Sequence, residues 1–117
     1  MRAFGAEHGP LVVYLEAAEE NAYNICRYLH QLRYAGWFDH AVAILIGRTD
    51  APAGPGASGA PDLTQDEAVI DALGDLGLPI VLDVEIGHVP PHLPLLNGAV
   101  AHVVVDAETH SITQRWD

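Results

Sequence analysis

His88 and Glu16 are the two side chains whose types and positions could do chemistry. His88 lies in PIVLDVEIGHVPPHLPLLNG, from Pro79 to Gly98, just past the short apolar run of Ile80, Val81, Leu82 and Val84. A neutral imidazole there can act as a general base near neutral pH. Glu16 follows a second short apolar run, Leu11 to Leu15. A carboxylate that accepts a bond from one imidazole nitrogen fixes the tautomer and stabilises the imidazolium. Each residue also has a plainer reading. His88 could be a loop histidine bonded to a carbonyl, and Glu16 a helix-start acid facing free backbone amides.

The pair alone cannot hydrolyse a bond, because it needs a nucleophile or a metal to act on. Ser58 lies in a stretch too poor in large side chains to pack, and Ser111 falls in an expected edge strand. Neither has the strained strand-to-helix elbow that exposes a nucleophilic serine. Cys26 sits on the apolar stripe of a predicted helix and reads as a small core residue. Glu85, His88 and His92 could be metal ligands, but a four-residue step puts two ligands on one face only in a helix. Pro90 and Pro91 argue against a helix there, and no second cysteine exists for a thiolate-rich site. No metal and no cofactor is expected. His8, His30, His40, His102 and His110 are scattered and read as surface or edge residues.

The elements that would position Glu16 and His88 are set by periodicity. Leu11–Leu15 and Ala41–Ile46 read as buried strands. Between them, Ala22, Ile25, Cys26, Leu29 and Leu32 recur at helical spacing from about Asn21 to Ala35, with Gly36 as the stop. Glu19 and Glu20 are expected in or near the first turn. Strand, helix, strand in this compass is a parallel unit with a right-handed crossover. Thr64 to Glu67 spells a capping box that opens a second helix. Its predicted buried stripe is Val69, Ile70, Leu73 and Leu76, and Gly77 is its stop. The strand from Ile80 to Val84 completes a second crossover. Gly87 permits a sharp turn, and Pro90, Pro91 and Pro94 hold the next stretch extended. Glu16 and His88 would then share the carboxyl edge of one sheet, where open α/β sheets bind ligands. Asn97-Gly98 predicts a tight turn, then a strand over Ala99–Val105, a turn at Asp106–Thr109 and a strand over Ser111–Trp116.

The 117 residues make one domain, with no internal repeat. The fold class expected is α/β, a single domain with a mainly parallel sheet flanked by two helices and a C-terminal hairpin. Asp50–Asp62, almost wholly Ala, Gly, Pro, Ser and Asp, reads as a mobile surface loop. Five basic and sixteen acidic residues give a net charge of −11. That field repels phosphate backbones and anionic membranes, so no nucleic-acid or membrane partner is expected. One cysteine fits a reducing compartment. The apolar runs are far shorter than the roughly 18 residues of a membrane span, and MRAFGAEHGP has no apolar signal core. Tyr23, Tyr28, Tyr34, Trp37 and Phe38 read as packing at the domain's edge, although a face that meets another domain or subunit would look the same.

LVVYLEAAEENAYNICRYLHQLRYAGWFDHAVAILIGR resembles the segment of LD-carboxypeptidase-like serine peptidases, peptidase family S66, that runs strand, Glu, helix, Leu, Ala-Gly, strand, Gly-Arg/Lys. PIVLDVEIGHVPPHLPLLNGAVAHVVVD resembles the same family's later segment, here with Gly87-His88, Pro91 and Gly98. The closing ITQRWD is similar to the end of the microcin C self-immunity (MccF-like) branch. The resemblance covers about Pro10 to Trp116.

It implies a Ser, Glu, His order along the chain, with Glu16 and His88 as the catalytic acid and base. It places the serine on an elbow in an N-terminal nucleophile domain, so residues 1–117 would be the swivelling C-terminal domain with that partner absent. It further implies a cytoplasmic homodimer. The substrate would be a murein L,D-peptide or a peptidyl- or aminoacyl-nucleotide of the microcin C type. This chain alone would be inactive. Three positions depart from the family pattern. Ala17 stands where Asp usually follows the Glu, an Asp common in the helix is replaced near Cys26, and Leu96 stands where a proline is usual, with Pro94 displaced. The alternative to a catalytic role is a non-catalytic interaction or regulatory module that has kept the fold; a metal-binding domain ranks third.

Overall fold

The computed structural model describes residues 9–50 and 62–116. His8, Ser58 and all of the Asp50–Asp62 stretch but its two ends lie outside the described residues. The elements run β1 (Leu11–Leu15), α1 (Ala22–Tyr34), β2 (Ala41–Gly47), α2 (Gln65–Leu73), β3 (Ile80–Val84), β4 (Val100–Val105) and β5 (His110–Arg115). The first three strands form a parallel sheet in the order β1-β2-β3. The last two pair antiparallel as a separate two-stranded sheet. The expected α/β architecture is therefore present, with the hairpin standing apart from the parallel sheet.

Only the central strand is buried as its composition led one to expect. Ile44, Leu45 and Ile46 of β2 are 0%, 2% and 4% exposed. β1 and β3 are half-buried, because a three-stranded sheet has one interior strand and two edges. An apolar run of five reads alike in either place. Ile44 and Ile46 join the helices in one core, with Val13, Leu15, Ile80 and Leu82 packed against it. Alternation along each strand puts these side chains on one face.

α1 begins where the Asn21 side chain accepts a bond from the Asn24 amide at 3.0 Å. Its end is a Schellman arrangement: the Gly36 amide donates to the Arg33 carbonyl and the Trp37 amide to the Leu32 carbonyl, with Gly36 at φ +82°. Glu19 and Glu20 precede the helix rather than lying in its first turn. Glu20 braces the cap by accepting from the Asn21 amide and the Asn24 side chain. Of the aromatic group, Phe38 is buried in the core, whereas Tyr28, Tyr34 and Trp37 are exposed. At the far end of α1, Arg33 forks onto Asp75 at 2.6 and 3.1 Å and donates to the Ala72 carbonyl, tying the two helices together.

The capping box at Thr64 and Glu67 forms as expected. The buried stripe of α2 differs from the predicted one. Ala68, Val69, Ala72 and Leu73 are fully buried, and Ile70 is 59% exposed. The α-helix stops at Leu73 and tightens into a 3₁₀ turn over Gly74–Leu76, with Gly77 in the left-handed region. Size is a misleading guide to burial here. Ala68 and Ala72 belong to the buried core cluster, and the larger Ile70 does not. Leu73→Ala is expected to lower unfolding free energy by about 3 kcal/mol, the usual loss for a buried leucine. Ile70→Ala should change it by less than about 0.5 kcal/mol. Urea denaturation of the two variants checks this contrast.

Candidate active site

Glu16 leaves β1 one residue past Leu15, and His88 stands four residues past the end of β3. β2 separates the two strands, so their carboxyl ends are about 10 Å apart at ordinary sheet spacing. Something must bring the loop after β3 back across β2, and that redirection starts inside the strand.

β3 carries one extra residue against β2. Leu45 pairs with Val81 and Gly47 with Val84, so two steps on one strand face three on the other. Asp83, within this bulge, takes φ +56°, which Asp tolerates better than most residues. Bulges of this kind bend a strand and re-aim the residues beyond it. Arg48, next after β2, holds the bend. Its Nε donates to Asp83 Oδ1 and its Nη2 to Glu85 Oε1, each at 3.1 Å, and its own amide donates to the Val84 carbonyl. The Ile86 amide then turns back onto the Val84 carbonyl at 2.7 Å, and the Leu93 amide closes the proline loop on the Glu85 carbonyl.

The redirected chain lays Ile86, buried to 4% exposure, over Gly47. A Cβ on Gly47 would come 2.7 Å from the Ile86 carbonyl oxygen and 3.1 Å from Glu16 Cγ. Gly87, at φ +100°, packs against the same side chain. A Cβ there would collide with Glu16 Cγ and stand 2.7 Å from Oε1. Glu16 thus occupies a slot that the lack of side chains at two glycines leaves open. At its end, Oε1 meets His88 Nδ1 at 2.9 Å and receives the His88 amide at 3.4 Å.

The two residues singled out by type and position are therefore brought into contact. The Glu16 side chain is 20% exposed and that of His88 is 70% exposed. Nδ1 faces the carboxylate, which leaves Nε2 as the ring nitrogen free to take a proton. The hydrogen bond to Glu16, then its charge, raise the His88 pKa above the ordinary 6.5, with Asp50 and Glu19 adding smaller upward pulls and partial desolvation opposing them. Glu16 also borders an apolar pocket among α1, α2 and the sheet, lined by Leu15, Ile25, Leu29 and Val69.

The other sequence candidates lie elsewhere. Glu85, His88 and His92 do not converge on a common point; Glu85 is engaged by Arg48 and His88 by Glu16. Ser111 is on the hairpin, opposite Val104. Cys26 is only half-buried, and its Sγ donates to Asp71 Oδ2 at 3.4 Å, so it is not a plain core residue. Periodicity gave no sign of the parts played by Gly47, Arg48 and Asp83. The charge of Asp83 inside an apolar strand was the signal that could have marked the bulge.

In Glu16→Gln, the His88 titration observed by NMR should fall toward the ordinary value. Because the folded pKa is the higher one, the pair's stabilisation is full below the unfolded value near 6.5 and fades as pH rises through the folded value. The stability difference between native and Glu16→Gln chains should therefore shrink as pH rises from about 6.5 through the raised His88 value. In Gly87→Ala, the same titration should fall as the pair separates. Gly77→Ala, at φ +71° with nothing within 4 Å, should cost only the roughly 1–2 kcal/mol of a left-handed residue and leave His88 unchanged.

Comparison with known proteins identifies the chain's relatives. The family model for the LD-carboxypeptidase C-terminal domain matches residues 3–103. A provisionally named carboxypeptidase of Synechocystis sp. is 34% identical over 101 residues, which cover 86% of this chain and 33% of that protein. Another from Streptomyces coelicolor is 37% identical over 109 residues, covering 93% and 32%. The chain thus spans about one third of the length of these curated relatives. Among solved structures, the muramoyltetrapeptide carboxypeptidase from Oxalobacter formigenes superposes with a TM-score of 0.69 over 85% of this chain and 34% of that one, at 22% identity. The microcin C7 self immunity protein MccF gives 0.56 over 70% and 23%, at 19% identity. At those identities the two structures speak for the fold.

Proposed function

Because the chain belongs to the LD-carboxypeptidase C-terminal domain family, we propose that it carries the acid and base of a serine-type carboxypeptidase whose nucleophile resides on an N-terminal domain. The observation that carries this reading is the 2.9 Å contact between His88 Nδ1 and Glu16 Oε1, with the imidazole otherwise open to solvent. Among the described residues the His88 side chain bonds Glu16 only. The pair has the geometry of two members of a triad and an open side toward a third.

In this mechanism a serine Oγ on the N-terminal domain attacks the scissile carbonyl while His88 Nε2 removes its proton. The Glu16 carboxylate stabilises the imidazolium that results. His88 then protonates the departing amine, which breaks the amide bond and leaves an acyl-enzyme. A water molecule, deprotonated by the same nitrogen, releases the acyl group and restores the serine. The slot at Gly47 and Gly87 holds Glu16 so that only one imidazole tautomer is available to the base. The substrate class favoured by the relatives' names is a peptide with a free carboxyl end, such as a murein L,D-tetrapeptide. A peptidyl- or aminoacyl-nucleotide is the second class.

The test assays this chain alone, and then joined to a serine-bearing N-terminal domain, on a murein tetrapeptide and on an aminoacyl-sulfamoyl nucleoside. No hydrolysis is expected from the chain alone. In the joined protein, His88→Ala should lower kcat by about 10⁴-fold or more, and Glu16→Gln by on the order of 10³- to 10⁴-fold. Activity should rise with pH as the raised His88 pKa is passed, and in Glu16→Gln any residual activity should rise at lower pH. Hydrolysis by the chain alone, or full turnover in His88→Ala, would refute this division of labour and favour a non-catalytic module.

A further inference from the structure

On the side of the molecule where α1 meets α2, three side chains of different chemistry converge. Cys26 and His30 are one helical turn apart on α1, so both project toward the same neighbour. Asp71 reaches them from α2, 41 residues beyond His30 in the chain. Cys26 Sγ and His30 Nε2 each lie 3.4 Å from the same oxygen, Asp71 Oδ2. The three ligand atoms are all within 4.8 Å of one another, the only such set among the described residues.

We propose that Cys26, His30 and Asp71 form a binding site for a zinc-type divalent cation. A thiolate, an imidazole and a carboxylate together are a donor set suited to zinc. Tetrahedral zinc, with bonds of about 2.0–2.3 Å, sets neighbouring ligand atoms about 3.3–3.6 Å apart. Two of the three edges already have that length, with Asp71 at their shared corner. The third edge, between Cys26 Sγ and His30 Nε2, is no longer than 4.8 Å, and rotation of these two side chains would bring it to the length of the others as the ion replaces the hydrogen bonds.

The surroundings support this use. Tyr34 stacks beside the His30 ring, with centroids 6.1 Å apart and planes at 22°. The side chains of His30 and Asp71 are 35% and 69% exposed, so an ion can enter and a water can complete the fourth position. Without the ion, burial and the neighbouring Asp71 hold the Cys26 thiol protonated. Binding replaces that proton: the S–H bond breaks, the proton goes to solvent, and the sulfur lone pair bonds the metal. His30 binds as the neutral ring through Nε2. The nearby guanidinium of Arg33 is already occupied by Asp75, and the chain's net charge of −11 favours a cation. The bound ion would fasten α1 to α2 across their partly exposed flank. This inference shares no residue with the Glu16–His88 pair and stands or falls separately from it.

The probe is Co(II), added to the reduced native chain. One equivalent should bind with a sulfur-to-cobalt charge-transfer band and the visible bands of a four-coordinate site, and Zn(II) should displace it. Cys26→Ser should abolish the charge-transfer band. His30→Gln and Asp71→Asn, both at partly exposed positions, should each weaken Zn(II) affinity at least tenfold while circular dichroism remains native. No charge-transfer band from the native chain, or unchanged affinity in either His30→Gln or Asp71→Asn, would overturn the proposal.

Discussion

A carboxylate packed against two glycines shapes the carboxyl edge of this domain's parallel sheet. Glu16 and His88 emerge from strands that are not neighbours, and the buried strand β2 lies between them. Contact is made because the chain after β3 doubles back over Gly47 and presses Gly87 against the Glu16 side chain. Neither glycine can carry a side chain without entering the space of Glu16 or Ile86. One of them also takes a backbone angle that side chains disfavour. The pair's geometry is thus set by the absence of bulk at two positions as much as by the attraction between imidazole and carboxylate.

The brace around Arg48 shows how a surface ion pair matters without being a large source of stability. Exposed pairs of this sort are individually worth ~0–1 kcal/mol. Their role here is directional. One guanidinium takes the carboxylates of Asp83 and Glu85, on either side of the strand's last residue, while its backbone amide holds the Val84 carbonyl between them. The bulge cannot relax into regular pairing without losing all three bonds. In the proposed mechanism a rigid start to the loop serves the pair, because small displacements at reacting atoms cost rate steeply.

The electrostatics of the pair are a result of the same placement. His88 is largely exposed, so burial does little to it. Its pKa is raised by the carboxylate it touches and by Asp50 and Glu19 beyond. A base used near neutrality is stronger for this but is free of its proton only at higher pH. In the proposed mechanism that balance is acceptable, because the carboxylate that holds the proton on in the resting state is also the group that stabilises the imidazolium during the reaction.

Much of this was legible in the chain itself. Short apolar runs, alternation and period-3.6 patterns located the strands and both helices among the described residues, the caps at Thr64 and Gly36 were spelled by residue type, and Glu16 and His88 stood out as candidate groups at strand ends. These are local properties, written in neighbouring residues. Burial was less legible: β1 and β3 carry the composition of interior strands yet sit at edges, and Ile70 is exposed while Ala68 and Ala72 are buried in the core. Which strand is central depends on the order of pairing. The bulge at Asp83, the hold of Arg48, the slot around Glu16 and the meeting of Cys26 with His30 and Asp71 were decided by tertiary structure alone. Each joins residues far apart in the chain, and no periodicity within one element records what the next element will place against it.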